Sequence, residues 1–124
     1  MIHVGSYLKL MDNSGTKEIQ CIRVVSPSNK KPARIGDQIL VSIQSSIAKE
    51  RASIKKGKIY RAVLVHTKKL VQREAGDSSS LGKNIAVLIN PSKVPLSTRF
   101  LGCLPYEIRR EGFIKLLSTS KYLY

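Results

Sequence analysis

Short runs rich in β-branched and aliphatic residues recur along this chain, each closed by turn-forming residues. They are Tyr7–Met11, Glu18–Val25, Asp37–Ser45, Ile59–Thr67 and Asn84–Ile89. Runs of this length bounded by Gly, Pro, Asn and Asp read as strands. Asp12-Asn13-Ser14-Gly15 separates the first two. Asp and Asn tolerate left-handed backbone and Gly has no Cβ to clash, so an antiparallel hairpin is expected there. The second run alternates only in part, which predicts packing on both of its faces. In the third, Ile39, Val41 and Ile43 share one face and Leu40 breaks the pattern. Strands this short and regularly spaced favour a closed barrel, because an open sheet leaves edges exposed.

Between the runs lie connectors. Ser26–Gly36 is a loop with Pro27, Pro32 and Gly36 as breakers, and Ser46–Ile54 is polar and basic. Gly57 marks a tight turn into the fourth strand. Lys68–Arg73 reads as an extended ribbon leading to a flexible tip, Glu74–Ser80. The last third changes character. Pro105 to Gly112 reads as a short helix: Pro suits its start, Glu107 the N-terminal end, Arg109 and Arg110 the C-terminal end, and Gly112 the stop. Phe113, Leu116 and Leu117 recur at helical spacing, and Tyr122-Leu123-Tyr124 forms the tail. The 124 residues suit one domain.

Charge is the strongest functional signal. Twenty-two Lys and Arg face eight Asp and Glu, a formal net charge of +14. Such an excess repels itself in the compact state, and a polyanion relieves it; nucleic acid is the first candidate. From Lys49 to Arg73, nine of 25 residues are basic. The apolar run Ala62–Val65 lies between Lys55, Lys56, Lys58 and Arg61 on one side and Lys68, Lys69 and Arg73 on the other. A strand from Ile59 to Thr67 would hold these clusters roughly 27 Å apart. Lys30, Lys31 and Arg34 form a third cluster. Aromatics make up 6% of the chain and Trp is absent. Single-strand binders stack bases on aromatic platforms, so their scarcity favours recognition of the backbone and shape of folded RNA.

Other chemistry is poorly supported. His3 and His66 are far apart in sequence, and no Ser or Cys motif accompanies either. No phosphate-cradling Gly-rich loop, metal-ligand spacing or cofactor motif is present, so neither cofactor nor metal is expected. Cys21 and Cys103 lie in or beside apolar sequence and are expected as buried free thiols. The longest apolar run, Ile85–Ile89, is far below the roughly 20 residues of a spanning helix, so no membrane is expected as a partner. Met1–Gly5 has no basic or apolar leader character, so no signal peptide is expected.

Almost end to end, the chain resembles the ribosomal protein "L-fourteen" family of the large subunit. The resemblance is carried by Leu8 to Val25 with Asp12-Asn13-Ser14-Gly15 and Cys21-Ile22, by Gly36-Asp37, Lys55-Lys56-Gly57 and Ala62 to Lys69. It continues through Asn84, Val87-Leu88, Thr98 to Gly102, Glu107-Ile108-Arg109 and Phe113-Ile114-Lys115. It implies a mainly β fold: a small five-stranded β-barrel (about residues 1–95) with a projecting β-ribbon and a C-terminal lobe of short helices (about 96–124). It implies a non-enzymatic, structural constituent of the large subunit that binds large-subunit rRNA and contributes to an intersubunit bridge with small-subunit rRNA. It implies a neighbour of the "L-nineteen" family, and a docking surface for a ribosome-silencing factor at Thr98, Arg99 and Lys115. The residues expected on RNA are Lys30, Lys31, Arg34, Lys55, Lys56, Lys58, Lys68, Lys69, Arg73, Arg99 and Arg109. His66 stands where the family usually has Arg, which implies a weakened or pH-sensitive phosphate contact. That drift, with Cys103-Leu104-Pro105-Tyr106 and the divergent end from Thr119, points to a mitochondrial ribosome, with a bacterial or plastid one as the alternative. A free barrel-type RNA chaperone is the competing reading from another class; a small RNA-cleaving enzyme is disfavoured for want of a His pair.

Overall fold

The computed structural model describes residues 2–11, 16–25, 32–46, 57–68, 71–72, 78–79, 83–96, 99–100, 102–105, 107–110, 112–119 and 122–123. Five strands close into a barrel: β1 (Tyr7–Leu10), β2 (Thr16–Val25), β3 (Gln38–Ser46), β4 (Ile59–His66) and β7 (Ile85–Ile89). Between β4 and β7, β5 (Val71–Gln72) pairs antiparallel with β6 (Ser78–Ser79). Beyond the barrel come β8 (Cys103–Leu104), α1 (Glu107–Arg110), α2 (Ile114–Leu117) and β9 (Tyr122–Leu123). Neighbouring barrel strands run antiparallel except at the closure, where β1 pairs parallel with β7 through Lys9–Ile85 and Leu10–Ala86.

The unbroken apolar run in β4 has a specific cause. Successive side chains of a strand point to opposite faces. Ala62 and Leu64 enter the barrel interior, while Val63 and Val65 point outward into a second core. On β7, Ala86 and Leu88 face inward and Ile85, Val87 and Ile89 outward. Cross-strand pairing sets Ala62 against Leu88 and Leu64 against Ala86. Small thus sits beside large on neighbouring strands of the lumen wall, which lets a narrow barrel fill without voids. Leu8, Leu10, Ile19, Cys21, Val24, Ile39, Val41 and Ile43 complete the interior. Ile2 and Ala33 join the same core and exchange backbone hydrogen bonds of 3.0 and 2.7 Å.

The second core is built by the C-terminal lobe. Phe100, Leu104, Ile108, Phe113 and Leu116 pack with the outward residues of β4 and β7. Parallel pairing of β8 with β9 brings the end of the chain back to the lobe.

Three expectations change. Partial alternation in β2 does not reflect two packed faces: Ile22, Arg23 and Val25 are exposed. A β-bulge between Cys21 and Arg23 shifts the register, so Ile19 and Cys21 point inward before it and Val24 after it. Within the tip expected at 74–80, Ser78 and Ser79 form a strand that pairs back onto Gln72 and Val71; serines suggest a loop by composition, which does not report backbone pairing. Of the helix expected from Pro105 to Gly112, the described helical residues are Glu107–Arg110, and Gly112 lies outside the helix with φ +88°, a conformation that costs other residues a Cβ clash. The Asp12–Gly15 turn and the connector 47–54 lie outside the described residues.

Candidate nucleic-acid interface

Strand direction decides where the basic clusters go. β4 begins at Ile59 and ends at His66, so Lys58 and Lys68 flank it at opposite ends. Ten residues of extended chain place them roughly 33 Å apart along the strand, less a little for the register shift after Leu64. Gly57, with φ +83°, turns the chain into β4. Its N–H donates to the Ile43 carbonyl at 2.9 Å, and the Lys58 carbonyl accepts from Ile43 N–H at 3.1 Å. Lys58 is therefore held against β3 with its side chain exposed. At the other end, Lys68 N–H donates to Asn84 Oδ1 at 2.9 Å, which ties it to the start of β7. Its side chain is exposed too.

Arg34 belongs with Lys68. The turn that carries it is locked to the far half of β4: Gly36 N–H donates to the Leu64 carbonyl at 2.8 Å, and Leu64 N–H to the Asp37 carbonyl at 3.0 Å. Asp37 Oδ2 accepts the Arg34 N–H at 2.8 Å, so this acid is engaged in shaping the turn. Clusters that stand 34 positions apart in sequence are thereby brought to one end of the barrel, with Lys58 at the other.

Arg99, Arg109 and Lys115 are exposed on the lobe. The lobe is held by Phe100 N–H donating to the Thr119 carbonyl at 3.1 Å and by Phe113 N–H donating to the Ile108 carbonyl at 3.2 Å. Lys30, Lys31, Lys55, Lys56, Lys69, Arg73 and Thr98 lie outside the described residues. Sequence reading left out further exposed cations: Lys9, Lys17 and Arg23 on the outer wall, Lys83 before β7, and Lys93. The outward positions of the alternation in β1 were the available signal for Lys9. Arg61 belongs to the first cluster by sequence, yet its side chain is half-buried in a groove.

His66 does not face solvent. It is 1% exposed, with its ring centroid 6.3 Å from that of Phe100. An imidazole so placed is a packing residue at the junction of barrel and lobe, and is not presented to a phosphate. His3, by contrast, is exposed. Among the described residues, no cluster of three or more His, Cys, Asp or Glu could hold a metal ion, and no helix is long and apolar enough to cross a membrane. Cys21 is a buried free thiol. Burial raises its pKa above the ordinary 9.0, partly offset by a hydrogen bond with the Arg23 backbone. The side chain of Cys103 is outside the described set.

Cations carried at both ends of a closed five-stranded barrel, with small helices packed on one flank, define a class: small, strongly basic β-barrel proteins. Residues 1–124 match the family model described as Ribosomal protein L14p/L23e, and the chain belongs to that family. It is thereby a structural constituent of the large ribosomal subunit, in a family of structural proteins rather than of enzymes.

Proposed function

We propose that the chain binds large-subunit rRNA by its phosphates and contributes to an intersubunit bridge with small-subunit rRNA. The observation that carries this is the placement of exposed cations: Arg34 and Lys68 at one end of the barrel, Lys58 at the other, Arg99 and Arg109 on the lobe. Lys30, Lys31, Lys55, Lys56, Lys69 and Arg73 are further phosphate contacts in this reading. A net charge of +14 makes a free state self-repelling, and phosphates relieve it while releasing counterions. The chain works as one domain with no catalytic role. A neighbour of the "L-nineteen" family pairs with it, and Thr98, Arg99 and Lys115 receive a ribosome-silencing factor. Its compartment in this reading is the mitochondrial matrix.

Sedimentation of tagged protein from mitochondria at low and high salt tests the proposal. Co-migration with the large subunit and the joined ribosome at both salts is the expected result. Migration near the top of the gradient would favour a free RNA chaperone. Co-migration with ribosomes of another compartment would overturn only the mitochondrial assignment. Lys55→Glu with Lys56→Glu should impair incorporation while leaving the barrel folded; normal incorporation would remove those residues from the interface.

A further inference from the structure

The outer face of β4 and β7 is only half covered. Towards Val65 and Ile85 the C-terminal lobe seals it. Towards Ile59 and Ile89 it stays open as a groove of about 300 Å³, lined by Leu40, Ile59, Arg61, Ile89, Pro91 and Leu96 among others. Strand pairing sets Leu40 beside Arg61 and Arg61 beside Ile89. Ile59 is 63% exposed and Leu96 40%. The far wall is preformed. Asn90 Oδ1 accepts from Ser92 N–H and Val94 N–H at 3.1 and 3.0 Å. Leu96 N–H donates to the Leu88 carbonyl at 3.0 Å, and Lys93 Nζ sits 5.2 Å over the Phe113 ring.

Among the described residues of this lining, Arg61 is the only charged one. Among the described residues, its Nη1 meets Gln38 Oε1 at 3.5 Å, at the outer limit of a hydrogen bond. A guanidinium carries five N–H donors and always its charge. Whatever covers the groove must supply acceptors to them or leave a buried charge unpaired. Among the described residues neither end of the chain fills it: Tyr122 and Leu123 are paired with Cys103 and Leu104, and Ile2 with Ala33. A second copy is opposed by the net charge of +14 on each. RNA presents phosphates, which call for many exposed cations; carbon walls around a single guanidinium match the apolar centre of a protein interface, where Arg is enriched.

We infer that the groove receives an extended segment of a neighbouring large-subunit protein, seating an apolar side chain between Ile59 and Leu96 and a carboxylate on Arg61. The inference rests on the chain's place in the large subunit. The test puts the photo-crosslinker p-benzoylphenylalanine at position 96 of tagged protein, irradiates gradient-purified large subunits and identifies the adduct by mass spectrometry. The expected adduct is one peptide of another ribosomal protein with an Asp or Glu beside the linked residue. Its yield should fall roughly tenfold or more in Arg61→Glu, and in Arg61→Met, which keeps the aliphatic stem, as when one partner of an interfacial charge pair is removed. An adduct on RNA, on a second copy or on a peptide without an acid would overturn the inference. So would an unchanged yield in both variants, or no adduct from incorporated protein. Absence of the unsubstituted protein from the large subunit would instead strike at the ribosomal reading on which the inference rests.

Discussion

Phe113 is the residue on which attachment of the lobe turns. It is 2% exposed and packs in the core shared by the lobe and the outer face of β4 and β7. Phe113→Ala removes a buried aromatic side chain, at a cost of about 3–5 kcal/mol. It also removes the ring under Lys93 Nζ, an exposed cation–π contact of about 0.5–1 kcal/mol. For a domain whose whole stability is about 5–15 kcal/mol, this is a large fraction. At about 3–5 °C per kcal/mol for a chain of this size, the melting midpoint should fall by about 10–30 °C. The two cores make a sharper forecast. Barrel residues such as Ile39, Leu64 and Leu88 belong to the other core, so the loss should be uneven. Hydrogen exchange is the assay. Amides of Phe100 and Leu117, which donate to the Thr119 and Phe113 carbonyls at 3.1 and 3.3 Å, should lose protection. Those of Gly36 and Leu64, which donate to Leu64 and Asp37 carbonyls at 2.8 and 3.0 Å, should keep most of theirs. Equal loss of protection in both sets would refute the division into two cores and make barrel and lobe a single cooperative unit.

Three further outcomes follow from the geometry. Lys58→Gln with Lys68→Gln should lower the salt dependence of binding to a large-subunit rRNA fragment by roughly 1.4–1.8 log units per log unit of salt, at roughly 0.7–0.9 per phosphate contact; an unchanged slope in a filter-binding titration would remove both residues from the interface. Gly57→Ala meets no neighbouring atom but forces an L residue to φ +83°, so urea unfolding should show a loss of about 1–2 kcal/mol. The Cys21 thiol has its pKa raised by burial above 9.0, so folding favours its protonated form. That contribution is intact below about pH 9 and is lost as pH rises through the folded value. Cys21→Ser or Cys21→Ala should therefore flatten the alkaline end of the stability profile, and native Cys21 should label with iodoacetamide only as fast as the protein opens.

Strand content, the β1–β2 hairpin, closure of the barrel and the charge excess were all legible in the residues, because alternation, turn chemistry and composition act locally. The run Ala62–Val65 declared a strand buried on both faces, since a half-exposed strand would alternate. Which residues belonged to which core was not legible: Ala62 and Val63 look alike in sequence, and only closure around β7 sends one inward and the other under the lobe. The bulge after Cys21 was invisible for the same reason, because a register shift is a relation between two strands. The placement of charge divides in the same way. Sequence supplied the clusters, but barrel topology gathered Arg34 and Lys68 to one end and set Lys58 at the other. Sequence alone also counted Arg61 with its basic neighbours and treated His66 as a surface position. Their surroundings come from strands and a lobe far away in the chain: the lobe buries His66, and the half of β4 it leaves uncovered makes Arg61 the charged point of an apolar groove.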